Sequence, residues 1–183
     1  MRIIAGALGG RNLKTVEGPG YRPATAKVRE AIFSMLSSRG VVWSGLRVLD
    51  LFAGSGQLGL EALSRGAAEA VFVDESRESA AVVKRNIASL KAEAKTRLYQ
   101  TDFAAFLMRR QEPFDIVFLD PPYRSGKLEA ALPLAAAITN PGGTIIAEHP
   151  TDEELPDEAG DFRKGKSYRY GKIYLTVYRH KDF

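Results

Sequence analysis

Cysteine is absent from the 183 residues, and histidine occurs twice, as His149 and His180. A chain so composed builds no disulfide framework, thiolate zinc site, iron–sulfur cluster or cysteine nucleophile, and it fits a reducing compartment. No apolar run reaches the ~18 residues of a bilayer-spanning helix, and no long apolar stretch follows Met1–Gly6. Neither a membrane span nor a signal peptide is therefore read, and a cytoplasmic protein with no structural metal is expected. What is present is ordinary for a folded domain: 45% hydrophobic and 26% charged residues, enough apolar surface to bury a core over a length typical of one domain.

Charge is unevenly distributed. The formal net charge is +4, but residues 1–47 carry +6, residues 48–162 carry −8 and residues 163–183 carry +6. Basic ends around an acidic centre suit a protein whose ends meet a polyanion, because lysine and arginine bind phosphates by displacing counterions; two solvated surfaces would look the same.

The spacing predicts a basic, hairpin-like arm broken at Gly9-Gly10 and Gly18-Pro19-Gly20, and then a helix beginning at Thr25 as N-cap. In that helix Val28, Ala31, Ile32, Met35 and Leu36 form one stripe, and Gly40 lies past its end. Beyond Gly45, apolar runs at 47–52, 70–74, 97–101, 114–119 and 144–148 alternate with helical patterns near 57–65, 76–91, 102–110 and 127–139. Such βαβα order predicts an α/β fold with a mostly parallel sheet. Ser167–Tyr170 and Lys172–Arg179, joined by Gly171, predict an antiparallel closing hairpin, and the acidic stretch 152–161 reads as a long mobile loop.

The first strand runs into Gly54, Gly56 and Gly59, a G-x-G-x-x-G turn whose backbone can approach a nucleotide-like ligand. Alone it serves dinucleotide folds and methyltransferases equally. Asp50 lies four residues before Gly54, where a pyrophosphate would be repelled but the sulfonium and ammonium of S-adenosylmethionine would be accepted. Asp74, with Glu75, ends the second run and can hold ribose hydroxyls. Asp102 and Phe103 follow the third run and offer an adenine acceptor and wall, although a helix N-cap and a core aromatic fit them as well. With Phe52, Ala53 and Ser55 of the turn, these residues form the expected cofactor site. After the fourth run comes Asp120-Pro121-Pro122-Tyr123, where two prolines hold the chain extended and present a carboxylate, unpaired carbonyls and an aromatic ring at a strand end.

The Asp-Pro-Pro-Tyr run after a strand, with Asp50 to Gly56 upstream, resembles the S-adenosylmethionine-dependent amino-methyltransferases. The resemblance implies that the Asp120 carboxylate and the Pro121 carbonyl take the two hydrogens of an exocyclic amino group, that Pro122 shapes the turn, and that Tyr123 stacks on an unpaired base. More of the chain resembles one branch, the bacterial 16S ribosomal RNA guanine-N2 methyltransferases. The matching pieces include Arg2–Gly6, Gly10-Arg11, Arg22-Pro23 through Phe33, Leu49–Ala67, Asn86, Asp120–Tyr123 and Glu148.

Membership of that branch implies a seven-stranded Rossmann-like methyltransferase domain over residues 41–183 and an RNA-binding arm and helix over 1–40. It also implies methyl transfer to a guanine of the type at position 966. The implied partner is 16S rRNA, free or in an assembling small subunit, gripped by Arg11, Lys14, Arg22, Lys27 and Arg29. Two departures from the branch are Ala24 before Thr25 and Asp74 where relatives carry a longer glutamate. The alternatives are a DNA adenine-N6 or cytosine-N4 methyltransferase, which shares the tetrapeptide, a nicotinamide-dependent oxidoreductase, which shares only the glycine turn, and an RNA-binding module without chemistry.

Overall fold

The computed structural model describes residues 1–18, 24–109 and 112–183. The Thr25 hydroxyl accepts from the Val28 amide and starts α1 (Ala26–Ser38). The chain then alternates through β1 (Arg47–Leu51), α2 (Gln57–Ser64), β2 (Glu69–Asp74), α3 (Arg77–Leu90), β3 (Thr96–Gln100), α4 (Phe103–Leu107), β4 (Phe114–Leu119), α5 (Lys127–Ala137) and β5 (Thr139–Pro150). It closes with β6 (Glu158–Ala159), β7 (Phe162–Tyr170) and β8 (Ile173–His180).

The strands form one eight-stranded sheet in the order β3-β2-β1-β4-β5-β8-β7-β6. Pairings among β1 to β5 are parallel, and β8, β7 and β6 are added antiparallel. Successive side chains of a strand point to opposite faces, and each face is buried. Val48, Phe72, Ile116, Phe118 and Ile146 pack with α1, α2 and α3 on one side. On the other, Leu49, Val71, Val117, Leu119 and Ala147 pack with α4 and α5. The chain leaves β1 toward β2 on one side and returns to β4 on the other. The carboxyl ends of β1 and β4 therefore frame the crevice in which open α/β sheets bind ligands.

Three features differ from the reading of the sequence. The sheet has eight strands because β7 begins at Phe162, five residues before the hairpin expected from Ser167, and pairs with the short β6. The acidic stretch is correspondingly held: Tyr178 Oη donates to the Pro156 carbonyl at 2.6 Å and Lys164 Nζ to that of Leu155 at 2.9 Å. Among the described residues the arm's hairpin pairing is short, confined to the Arg2–Asn12 bridge and the flanking backbone hydrogen bonds of Ile3, Gly10 and Leu13, and the helices beneath add to its order. Glu61, buried on α2, accepts from the Ile4 and Ala5 amides at 2.7 and 3.0 Å. Asn86, buried on α3, brackets both backbone groups of Lys14.

Candidate active site

The turn after β1 is built from backbone conformations that side chains disfavour. Phe52 has φ 65°, and Gly54 and Gly56 have φ 55° and 76°; such strain concentrates where a site requires it. Two carboxylates hold the turn. Asp74 Oδ2 accepts from the Gly54 amide at 2.8 Å and its Oδ1 from Ser76, while Asp50 Oδ2 accepts from the Gly59 amide at 2.9 Å. From behind, Asn86 Nδ2 donates to the Ser55 carbonyl at 2.9 Å.

This turn opens on a cavity of about 810 Å³ between the carboxyl ends of β1, β2 and β4. Asp50, Phe52, Ala53, Gly54, Asp74, Glu75 and Phe103 line it together with Asp120, Pro121, Pro122 and Tyr123, so residues read from four separate strand ends converge. Ser55 and Gly56 stand behind the lining, Ser55 fully buried and Gly56 as the N-cap of α2. Asp102 is placed as a helix cap: its Oδ1 accepts from the Ala104 and Ala105 amides, and the cavity is lined instead by its neighbours Thr101 and Phe103. Phe103 packs against Phe52 with ring centroids 5.2 Å apart. Neither histidine lines the cavity.

The electrostatics are those of a cation site. Burial pushes the Asp50 carboxyl up to about 7, opposed by the Gly59 hydrogen bond and aided by Asp74. Burial raises Asp74 as well. Asp120 is raised well above the usual carboxylate range by burial and then by the neighbouring Glu148 and Asp50. Ionising several carboxyls in one poorly hydrated space is costly, and a bound positive charge offsets that cost. At the mouth, Lys127 Nζ is ion-paired to Glu75.

Several lining residues carry no local signal. Val16, Glu17 and Gly18 of the arm reach the cavity, as do Gln57, Ser79 and Lys127. Glu148 adjoins it, accepting from Tyr123 Oη at 2.7 Å. The arm and helix divide the expected RNA contacts. Arg11, Lys14 and Lys27 are exposed, and Arg22 lies outside the described residues. Arg29 departs from expectation: it is 2% exposed, and its Nη1 donates to the Arg2 carbonyl at 3.0 Å. It ties α1 to the arm, because the stripe carrying Val28 and Ile32 turns position 29 inward too. Among the described residues no group of acidic or histidine side chains is arranged to hold a metal, and no helix is long and apolar enough to cross a membrane.

Residues 1–179 match the family model described as "Conserved hypothetical protein 95". The chain belongs to this family. It is 40% identical to "Putative rRNA methyltransferase YlbH" of Bacillus subtilis over 99% of this chain and 100% of that protein. It is 42% identical to "Ribosomal RNA small subunit methyltransferase D" of Escherichia coli over 73% of this chain and 66% of that protein. The solved structure "Putative methyltransferase yhhF from Escherichia coli" superposes with a TM-score of 0.83 at 34% identity, covering 98% of this chain and 97% of the other. The architecture of this family member is the class I methyltransferase fold, with its mostly parallel sheet and antiparallel C-terminal hairpin.

Proposed function

We propose that this protein transfers a methyl group from S-adenosylmethionine to the exocyclic N2 of a guanine in small-subunit ribosomal RNA. The observation that carries this reading is the opening of Asp120-Pro121-Pro122-Tyr123 into the same cavity as the glycine turn. Methyl donor and amino acceptor are thereby addressed from two walls of one space. The relatives named as ribosomal RNA methyltransferases support the class of substrate, and the basic arm beside the cavity supports a polyanion.

The residues present fit the cofactor, because a buried acidic wall suits a molecule with two positive centres. Asp50 would face the methionine ammonium, the backbone of Ala53 and Gly54 would border the same end, Glu75 and Asp74 would meet the ribose, and Thr101 and Phe103 the adenine. S-adenosylmethionine supplies an electrophilic methyl on a sulfonium.

The chain's own work is on the acceptor. A guanine amino nitrogen has its lone pair delocalised into the ring and must be drawn out of plane before it can attack. The Asp120 carboxylate and the Pro121 carbonyl do this by accepting its two hydrogens, while the prolines hold both acceptors in fixed relation. Tyr123, 38% exposed at the mouth, provides a ring on which an unstacked base can rest.

Small-subunit particles from cells lacking the protein, methylated in vitro and mapped by mass, should gain one N2-methylguanine. Asp120→Ala should bind S-adenosylmethionine with unchanged affinity and lose most single-turnover transfer. Methylation of another base, or normal transfer by Asp120→Ala, would refute the assignment.

A further inference from the structure

The pairing of β4 with β5 ends at Leu119 beside Ala147. The next residues are Asp120, just past the end of β4, and Glu148 within β5, and the Glu148 charge acts directly on Asp120. The same register places Asp50 beside Phe118, on the face shared by Asp120 and Glu148, because alternate residues of a strand share a face. Glu148 is 6% exposed. Its Oε1 accepts from Tyr123 Oη at 2.7 Å, whereas its Oε2 is buried without a hydrogen-bond partner. A buried carboxylate oxygen with no donor is a costly arrangement; a protonated carboxyl beside a carboxylate is not, since the proton bridges the two.

We propose that Glu148 is a positioning residue that shares a single proton with Asp120, so that the pair keeps one negative charge beside the substrate amino group. The inference rests on the amino-methyltransferase reading of the site. With Oε1 turned to Tyr123, the shared proton lies between Glu148 Oε2 and the Asp120 carboxyl. This fixes the rotamer of the Asp120 carboxylate and couples it to the aromatic ring on which the base stacks. When the amino nitrogen has formed its bond to the methyl carbon, the carbon–sulfur bond having broken with its electron pair left on sulfur, the nitrogen carries one hydrogen too many. That N–H bond breaks, its electron pair stays on nitrogen, and the proton passes to the Asp120–Glu148 pair, which then holds two protons and no charge.

The described titratable groups that act on the pair are Asp50 from β1 and Tyr123 from the loop after β4. Burial, then Glu148 and then Asp50 hold Asp120 high, and burial holds Glu148 high against the lowering effect of Tyr123.

Glu148→Gln preserves the shape, the acceptor for Tyr123 and a permanent donor toward Asp120, but nothing there can ionise. Infrared difference spectra of the RNA-free protein at neutral pH should show a protonated-carboxyl component that Glu148→Gln removes and that persists in Asp50→Asn and Glu75→Gln. Protonated-carboxyl absorption left unchanged by Glu148→Gln overturns the proposal. On unmethylated small-subunit particles, Glu148→Gln should retain single-turnover transfer within about threefold at neutral pH and lose the alkaline decline of the parent's pH profile. Glu148→Ala should lose about tenfold or more with unchanged affinity for S-adenosylmethionine. A Glu148→Gln profile superimposable on the parent's, or a loss as deep as that of Glu148→Ala, also overturns it. Should the parent methylate no particle at all, the methyltransferase reading falls, and the infrared result still decides the shared proton.

Discussion

Asn86 is 1% exposed and uses its amide to join the arm to the glycine turn. Nδ2 donates to the carbonyls of Lys14 and Ser55, both at 2.9 Å, and Oδ1 accepts from the Lys14 amide at 2.8 Å. Asn86→Ala removes three hydrogen bonds, one of them at the buried Ser55. At about 1 kcal/mol for each bond the expected loss of stability is about 3 kcal/mol, or a fall in Tm of roughly 6–12 °C for a domain of this length. Urea unfolding followed by tryptophan fluorescence at Trp43 measures it, and calorimetric titration with S-adenosylmethionine should show weaker binding because the turn has lost its rear support.

Asn86→Asp provides the internal control. It keeps an acceptor for the Lys14 amide but turns a carboxylate toward two carbonyl oxygens, which raises its folded pKa above the unfolded value. Stability relative to Asn86→Ala should therefore be greatest below the unfolded pKa and be lost as pH rises through the folded one. A loss under about 1 kcal/mol for Asn86→Ala with an unchanged denaturant slope, or a pH-independent gap between the two variants, would refute the assigned role.

Asp50 should make the protein less stable as pH rises from about 4 to 7, because its folded pKa of about 7 lies above its unfolded value and the native state holds the proton longer. Asp50→Asn should flatten that part of the stability profile, and equal slopes in urea titrations would contradict the burial of an ionisable group. Gly6 has φ +84°, and a Cβ there would lie 1.9 Å from the Ser64 carbonyl oxygen. Gly6→Ala should cost about 2 kcal/mol or more and expose the arm to proteolysis before global unfolding; full protection would disprove the close approach. Lys14→Ala and Lys27→Ala should each lower the salt dependence of RNA binding by about one phosphate contact while leaving affinity for S-adenosylmethionine alone, as filter binding and calorimetry would show.

The glycine turn and the Asp-Pro-Pro-Tyr run were legible because their signals are local. Missing side chains, proline-fixed φ and a carboxylate at a strand end all act within a few residues, and the alternation of apolar runs with helical stripes places those ends on one rim of a parallel sheet. Asp102 was ambiguous for the same reason, since an aspartate before a helix serves equally as cap or ligand until the cavity wall is seen. Arg29 was misread as a surface cation because charge in a sequence carries no direction. Only the docking of α1 against the arm shows its guanidinium turned inward.

Composition and order along the chain thus determined an α/β protein with a glycine turn, an Asp-Pro-Pro-Tyr run at a strand end and a basic arm, since each follows from steric or periodic rules that neighbouring residues obey on their own. The tertiary structure alone decided which carboxyls are free and which are engaged. Asp74 accepts from two backbone amides while still lining the cavity, Asp102 caps a helix, and Glu148 meets Tyr123 from 25 residues away. Such pairings depend on strand order and register across the sheet, which are set by how whole faces bury their apolar area and not by any residue's immediate neighbours.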